Sequence, residues 1–136
     1  MHGPRALRPT LVALALLALP VAACATSPVM STLVVTATAY NSLPSQTGKQ
    51  PDVAAWGDKL EPGMKAIAVS RDLEDAGLTR GTVVRIDGLD GEYRVLDRMP
   101  DQWDKRIDIY MGQDVRAARN WGVRDVRIRW APALAD

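Results

Sequence analysis

Residues 95–110 read VLDRMPDQWDKRIDIY. Val95 and Leu96 close an apolar, alternating run that begins at Glu92 (EYRVL), so Asp97 stands at the end of a strand. Residues 98–105 are charged and contain Pro100, which marks a loop. Residues 106–110 (RIDIY) alternate again and form a second strand or strand end, with Asp108 eleven residues after Asp97. Two short strands joined by a polar loop, each carrying one acid, set the expectation for the rest of the chain.

Working outward, Gly88-Leu89-Asp90-Gly91 is a hairpin turn between residues 82–86 and the strand at 92–96. Residues 66–70 (AIAVS) form a short apolar strand, followed by a helical turn or two at 71–76. Residues 33–40 (LVVTATAY) are β-branched and then alternate, another strand ending in Tyr40. Downstream, residues 111–121 (MGQDVRAARNW) have apolar positions spaced as in a helix, with Gly122 at the C-cap, and 126–130 (VRIRW) alternate as a last strand. Residues 41–55 are rich in Ser, Pro, Gln and Gly, a long surface loop of the kind that is often functional. About six short strands and one or two short helices predict a mainly β fold closed as a small barrel.

The N-terminus reads as an export signal. Residues 1–9 carry Arg5 and Arg8 and no acid, and residues 11–23 (LVALALLALPVAA) are uncharged and too short to span a bilayer permanently. The run ends in Val21-Ala22-Ala23-Cys24, which resembles the bacterial lipobox, and Cys24 is the single cysteine of the chain. Cleavage before Cys24 and acylation of its thiol and new amino group would tether the protein durably, since several acyl chains hold where one is marginal. Ala25 follows in place of an aspartate, which directs the expectation to the periplasmic face of an outer membrane. The expected organisation is a leader at 1–23, a lipidated tether at 24–32, a domain at 33–130 and a tail at 131–136.

Removing the leader leaves 113 of 136 residues and takes away Arg5 and Arg8, so Lys+Arg falls from 17 to 15 against 16 Asp+Glu, a side-chain charge of −1. No basic field remains to hold nucleic acid. The one histidine, His2, leaves with the leader, which removes Ser-His-Asp and Cys-His catalysis and His/Cys zinc sites from consideration. No metal and no cofactor are expected, and the sequence shows no internal repeat. A chain of this length supports one domain with one core, expected as a monomer.

The segment around Asp97 and Asp108 resembles the C-terminal half of the three-aspartate (3D) domain of bacterial cell-wall proteins. It is similar to the catalytic domain of the membrane-bound lytic transglycosylase A family, with an aspartate after a strand and then D-I-Y. Asp97-Arg98-Met99-Pro100 is similar to a D-R-G-P motif of rare lipoprotein A. The resemblance extends through residues 36–40, residues 55–58 and residues 66–70, and covers nearly all of 33–130. It implies a six-stranded double-psi β-barrel, peptidoglycan glycan strands as the partner, and glycan cleavage of lytic-transglycosylase type. The alternatives are a non-catalytic peptidoglycan-binding module and a structural envelope lipoprotein. Where the family's first aspartate ends the A-V-D strand, this chain has Ser70, with Asp72 two residues later.

Cleaving a β-1,4 glycosidic bond needs an acid for the leaving oxygen. When the sugar's own 6-hydroxyl attacks, one carboxyl can serve as acid and then as base. Free aspartate titrates at about 3.9, so such an acid needs burial or a nearby negative charge. The expected assignments are Asp97 as the acid and Asp108 as its charged neighbour or as a structural hydrogen-bond anchor. Tyr40 and Asp72 or Ser70 would stand on the groove wall, and the loop tryptophans Trp56 and Trp103 would stack on sugar rings. Trp121 and Trp130 read as core. Asp101 and Asp104 read as solvated loop charges.

Overall fold

In β1 (Ser31–Tyr40) alternation does what the sequence asks of it: Val35 and Ala37 point into the core while Val34 lies half exposed on the other side. The computed structural model describes residues 2–4, 6–24, 27–43, 50 and 52–132. Of the expected segments, Arg5 of the leader, Ala25 of the tether, positions 44–49 and 51 of the long loop, and 133–136 of the tail lie outside them. The described part of residues 2–30 carries no helix or strand, and no described helix is long and apolar enough to cross a membrane.

After β1 come β2 (Ala66–Val69), α1 (Arg71–Asp75), β3 (Val83–Ile86), β4 (Tyr93–Arg98), β5 (Arg106–Tyr110), α2 (Val115–Trp121) and β6 (Arg124–Trp130). The strands close into a barrel in the order β1-β5-β2-β4-β3-β6. Closure leaves no open sheet edge. β1/β5 and β2/β4 are parallel, and the other four pairings are antiparallel. Exchanging β1, β2 and β3 with β4, β5 and β6 maps β1/β5 onto β2/β4 and β1/β6 onto β3/β4, each of the same sense, and returns β2/β5 and β3/β6 to themselves. This internal two-fold, with its two parallel pairs, is that of a double-psi β-barrel. The mainly β, six-stranded fold with two short helices is thus the one the sequence predicts.

The inner wall is built from the alternate residues of all six strands, among them Val35, Ile67, Val84, Val95, Ile107 and Ile128, with Leu73, Leu78 and Trp121 joining from outside the strands. Each fully buried aliphatic side chain contributes about 1.5–3 kcal/mol. A second, smaller cluster lies on the outer face, where Ala54 and Leu60 cover Ala66 and Tyr110 beside Tyr40, Met64 and Leu96. The 52–60 segment making this cover is closed on itself by Ala54 N–H to the Asp58 carbonyl (2.8 Å) and Leu60 N–H to the Asp52 carbonyl (2.6 Å).

Two boundaries differ from the sequence reading. The second helix starts at Val115 and not at residue 111, because Gly112 turns the chain at φ +55° and the Asp114 carboxylate caps the Ala117 amide at 2.9 Å. The strand at 92–96 runs on through Arg98, so Asp97 lies inside β4 and not at its end.

Candidate functional site

The position of Asp97 depends on a bulge. Along the parallel β2/β4 pair, Ala66 faces Arg94 and Ile67 faces Val95, but the register then slips so that Ala68 faces Asp97. One extra residue on β4 redirects the side chains beyond it. Leu96 joins the outer cluster, and Asp97 also comes to the outer face beside it. On the other flank of β2, Ala68 faces Asp108 of β5, and Asp108 faces Thr38 of β1. Thr38, Asp108, Ala68 and Asp97 therefore form one row across four adjacent strands. The two acids stand two strand spacings apart, about 10 Å between backbones, with only the methyl group of Ala68 between them.

The two carboxyls live in different surroundings. Asp97 accepts three hydrogen bonds: the Ala55 amide at 2.7 Å and its neighbour Arg98's amide at 2.9 Å on Oδ1, and the Tyr40 hydroxyl at 3.2 Å on Oδ2. Asp108 accepts a hydrogen bond from the Thr38 hydroxyl at 3.0 Å. Burial pushes the Asp108 carboxyl up to about 6, with the charge of Asp97 adding to it, against the lowering effects of the Thr38 hydrogen bond and the Arg106 guanidinium. Burial, and then the charges of Asp97 and Asp108, drive the Tyr40 phenol far above its ordinary value, so Tyr40 is a neutral donor at any physiological pH. Its ring sits 5.5 Å from that of Tyr110, tilted by 54°.

Asp108 opens onto a groove of about 590 Å³, lined also by Tyr40, Asn41, Pro100 and, from α2, Val115, Ala118 and Arg119. Asp97 is not on that lining; it lies behind Tyr40. The surroundings of the two acids are the reverse of those expected from sequence. Asp97 and Asp108 are brought together, but the carboxyl that faces the groove and is pushed toward neutral pH is Asp108, and Asp97 holds Tyr40 and the 55–56 turn in place.

Among solved structures, the chain is similar to an expansin. That structure is an apo crystal form of the Clavibacter michiganensis protein, 20% identical to this chain with a TM-score of 0.49. The match covers 78% of this chain and 53% of the other, so this chain spans about half the length of the structure it matches. No family model matches the sequence, and no characterised protein sequence matches it.

The other residues singled out in the sequence fall elsewhere. Ser70 is fully buried, so it is out of reach of a ligand; it donates to the Asp72 carboxylate and accepts from the Arg106 amide at 3.1 Å. Asp72 also accepts from the Lys105 amide at 2.9 Å. Partial burial raises the Asp72 pKa, but the hydrogen bonds from Ser70, Lys105 and Leu73 outweigh it and leave the carboxyl below its ordinary value. The pair fastens the start of β5, at the point where Lys105 takes φ +45°. Among the described residues neither bonds to Tyr40, Asp97 or Asp108; together they clamp the start of β5.

Trp56 is half-buried against the main core, with the Arg98 guanidinium 5.1 Å from its ring centre and Arg98 itself held by Glu74 in two bonds of 2.7 Å. Trp103 is exposed, but Arg106 stacks on it at 4.0 Å and it does not line the groove. Each tryptophan thus has one ring face occupied by arginine. Trp121 and Trp130 are core, the former donating Nε1–H to the Ala37 carbonyl at 3.3 Å. Asn41 and Arg119 are not among the residues the sequence marks out. Asn41 is buried and donates to the Met111 and Gly112 carbonyls at 3.3 and 3.2 Å, joining the end of β1 to the turn before α2. The signal for Arg119 was present in the sequence: Val115, Ala118 and Arg119 share one helical face.

Proposed function

We propose that the protein works in the bacterial cell envelope on peptidoglycan glycan strands and cleaves them as a lytic transglycosylase, with Asp108 as the acid and base. The observation that carries this reading is a single partly buried carboxyl, raised to about 6, facing an open groove with a hydroxyl donor fixed beside it. Protonated Asp108 gives its proton to the leaving glycosidic oxygen as the C1–O bond breaks. The resulting carboxylate then takes the proton of the sugar's 6-hydroxyl as that oxygen bonds to C1. The products are a free 4-hydroxyl on one fragment and a 1,6-anhydro ring on the other, and Asp108 ends protonated as it began. A hydrolase needs a second carboxylate for water or for a covalent intermediate. Asp97 is a poor candidate for that task, since three donors already occupy it and Tyr40 stands in front of it. Tyr40 supplies a neutral wall beside the reacting carboxyl. The lipobox at Val21–Cys24 supports tethering through Cys24, with the periplasmic face of the outer membrane as the place of work.

The test is to incubate the purified full chain with isolated sacculi and analyse released fragments by mass. Anhydro-ended muropeptides are expected, released more slowly as pH rises through about 6, and absent with Asp108→Asn. Sedimentation of the protein with sacculi without any released fragment, by wild type and variant alike, would replace this reading with the non-catalytic binding module.

A further inference from the structure

We infer that a second cleft, at the end of the barrel and across α2 from the groove, binds a free α-amino acid with an apolar side chain. The cleft encloses about 350 Å³ between the lead-in to β2, the start of β4 and the turn that joins β5 to α2. That is room for a small molecule. It is separate from the groove: α2 lines the cleft with Ala117 and the groove with Val115, Ala118 and Arg119, so the helix stands between the two.

The observation that points to a ligand is Tyr93. It is only 9% exposed and lines the cleft, yet among the described residues its hydroxyl has no hydrogen-bond partner. Burial, and then the charge of Asp90, push the phenol up, so it keeps its proton and offers an O–H donor. A donor so placed calls for an acceptor from the cleft. Lys65 stands beside it. The Lys65 carbonyl accepts the Arg94 amide at 3.0 Å, and the ammonium lies 5.8 Å from the Tyr93 ring centre. That ammonium gives one bond, of 2.7 Å, to the Asp90 carbonyl, which leaves two of its three N–H groups for a ligand. The Asp90 carboxylate itself is on an exposed residue outside the lining.

Lys65 and Tyr93 thus make a wall of donors on the β4 side. On the β5 side Asp114 uses one carboxylate oxygen to cap the Ala117 amide at 2.9 Å, and the other has no partner among the described residues. β4 and β5 flank β2, so their backbones are two strand spacings apart, about 10 Å. That span suits one small ligand with an anionic group at Lys65 and Tyr93 and a cationic group at Asp114. Most of the remaining lining is apolar, with Tyr110, Met64 and Met111, and thioethers adapt readily to an aliphatic chain. A carboxylate, an ammonium and an apolar side chain in one small molecule describe a zwitterionic α-amino acid. The end of a peptide carries only one of the two charges.

The isotope-labelled full chain in detergent would be titrated with leucine, with isocaproate, which lacks the ammonium, and with isoamylamine, which lacks the carboxylate. Leucine should shift the Gly63, Gly112 and Ala117 amide resonances saturably. Each analogue should bind about fivefold more weakly, the scale of one exposed ion pair. Tyr93→Phe removes no bond of the fold and should weaken leucine binding about three- to tenfold. Asp114→Asn keeps the helix cap and should weaken leucine about fivefold while leaving isocaproate unchanged. Lys65→Met should do the converse, weakening leucine and sparing isoamylamine. No saturable shift with leucine, an analogue that binds as tightly as leucine, or an unchanged leucine affinity in Tyr93→Phe would each overturn the site. The groove reading is tested by released glycan fragments and stands or falls apart from these outcomes.

Discussion

Asp97 and Asp108 are the same residue type, in the same row of the barrel, and differ in what solvates them. Two backbone amides and a phenol surround the first; one threonine hydroxyl and a partly dry groove surround the second. The raised pKa of Asp108 has a measurable consequence for stability. Its folded value of about 6 lies above the ordinary 3.8, so between those pH values the folded protein holds a proton that the unfolded chain has released. The stability this proton binding provides is complete below the unfolded value and is lost as pH rises through about 6. Asp108→Asn keeps an acceptor for Thr38 and removes the buried charge. Thermal melts should therefore show the variant roughly 1–2 kcal/mol more stable than wild type near pH 7, with the difference gone near pH 4. Equal melting curves across that range, or a destabilised variant, would show Asp108 to be the structural anchor that its place between two isoleucines suggests. The sequence makes both acids visible as candidates, through strand ends and spacing. It does not show which of them is dry, because dryness comes from Tyr40 and α2, which are distant in the chain.

At the scale of elements, alternation and turn residues locate all six strands, since an inward-facing aliphatic at every second position is the direct requirement of a barrel wall. The slip between Ile67 and Ala68 on β2 has no such signature. Leu96 followed by Asp97 reads as a strand end, whereas in the fold both reach the outer face and β4 continues. The start of α2 is a comparable case: helical spacing begins at Met111, but Gly112 has to turn the chain first. An added Cβ at Gly112 would stand 3.0 Å from the Pro62 Cα, on a residue already at φ +55°. Gly112→Ala should thus cost about 1–3 kcal/mol, read as a lower urea midpoint. Because the Gly112 carbonyl also accepts bonds from Ser42 and Asn41, the same change should weaken glycan binding in the groove. A midpoint equal to wild type would mean that the 61–63 turn gives way freely.

Over the whole molecule, a symmetric scaffold carries an asymmetric site. The internal two-fold passes between β2 and β5, where Ala68 and Asp108 face each other, and relates Thr38 to Asp97. Each half of the chain supplies two members of the row, yet both acids come from the second half. The two halves share pairing pattern and not side chains (Ile-Ala-Val in β2 against Ile-Asp-Ile in β5), so the symmetry is invisible as a sequence repeat. The same scale holds the question of attachment. Cys24→Ser should move the protein out of the membrane fraction or leave an uncleaved precursor. Fractionation like wild type, with no lipid label on the unmutated protein, would remove the anchor. β1 links that question to the groove. Ser31, next to the tether, pairs with Trp130, and Tyr40, on the groove wall, lies nine residues on, about 30 Å away along the strand. β6 grips the first part of β1 and β5 the last, with both holding Thr36 and Ala37. Tension between a tethered Cys24 and a glycan seated at Tyr40 would run lengthwise through β1. Its ladder bonds lie across that direction, so they are sheared together and not peeled one after another. The barrel is thereby built to stay closed while its two ends are pulled apart.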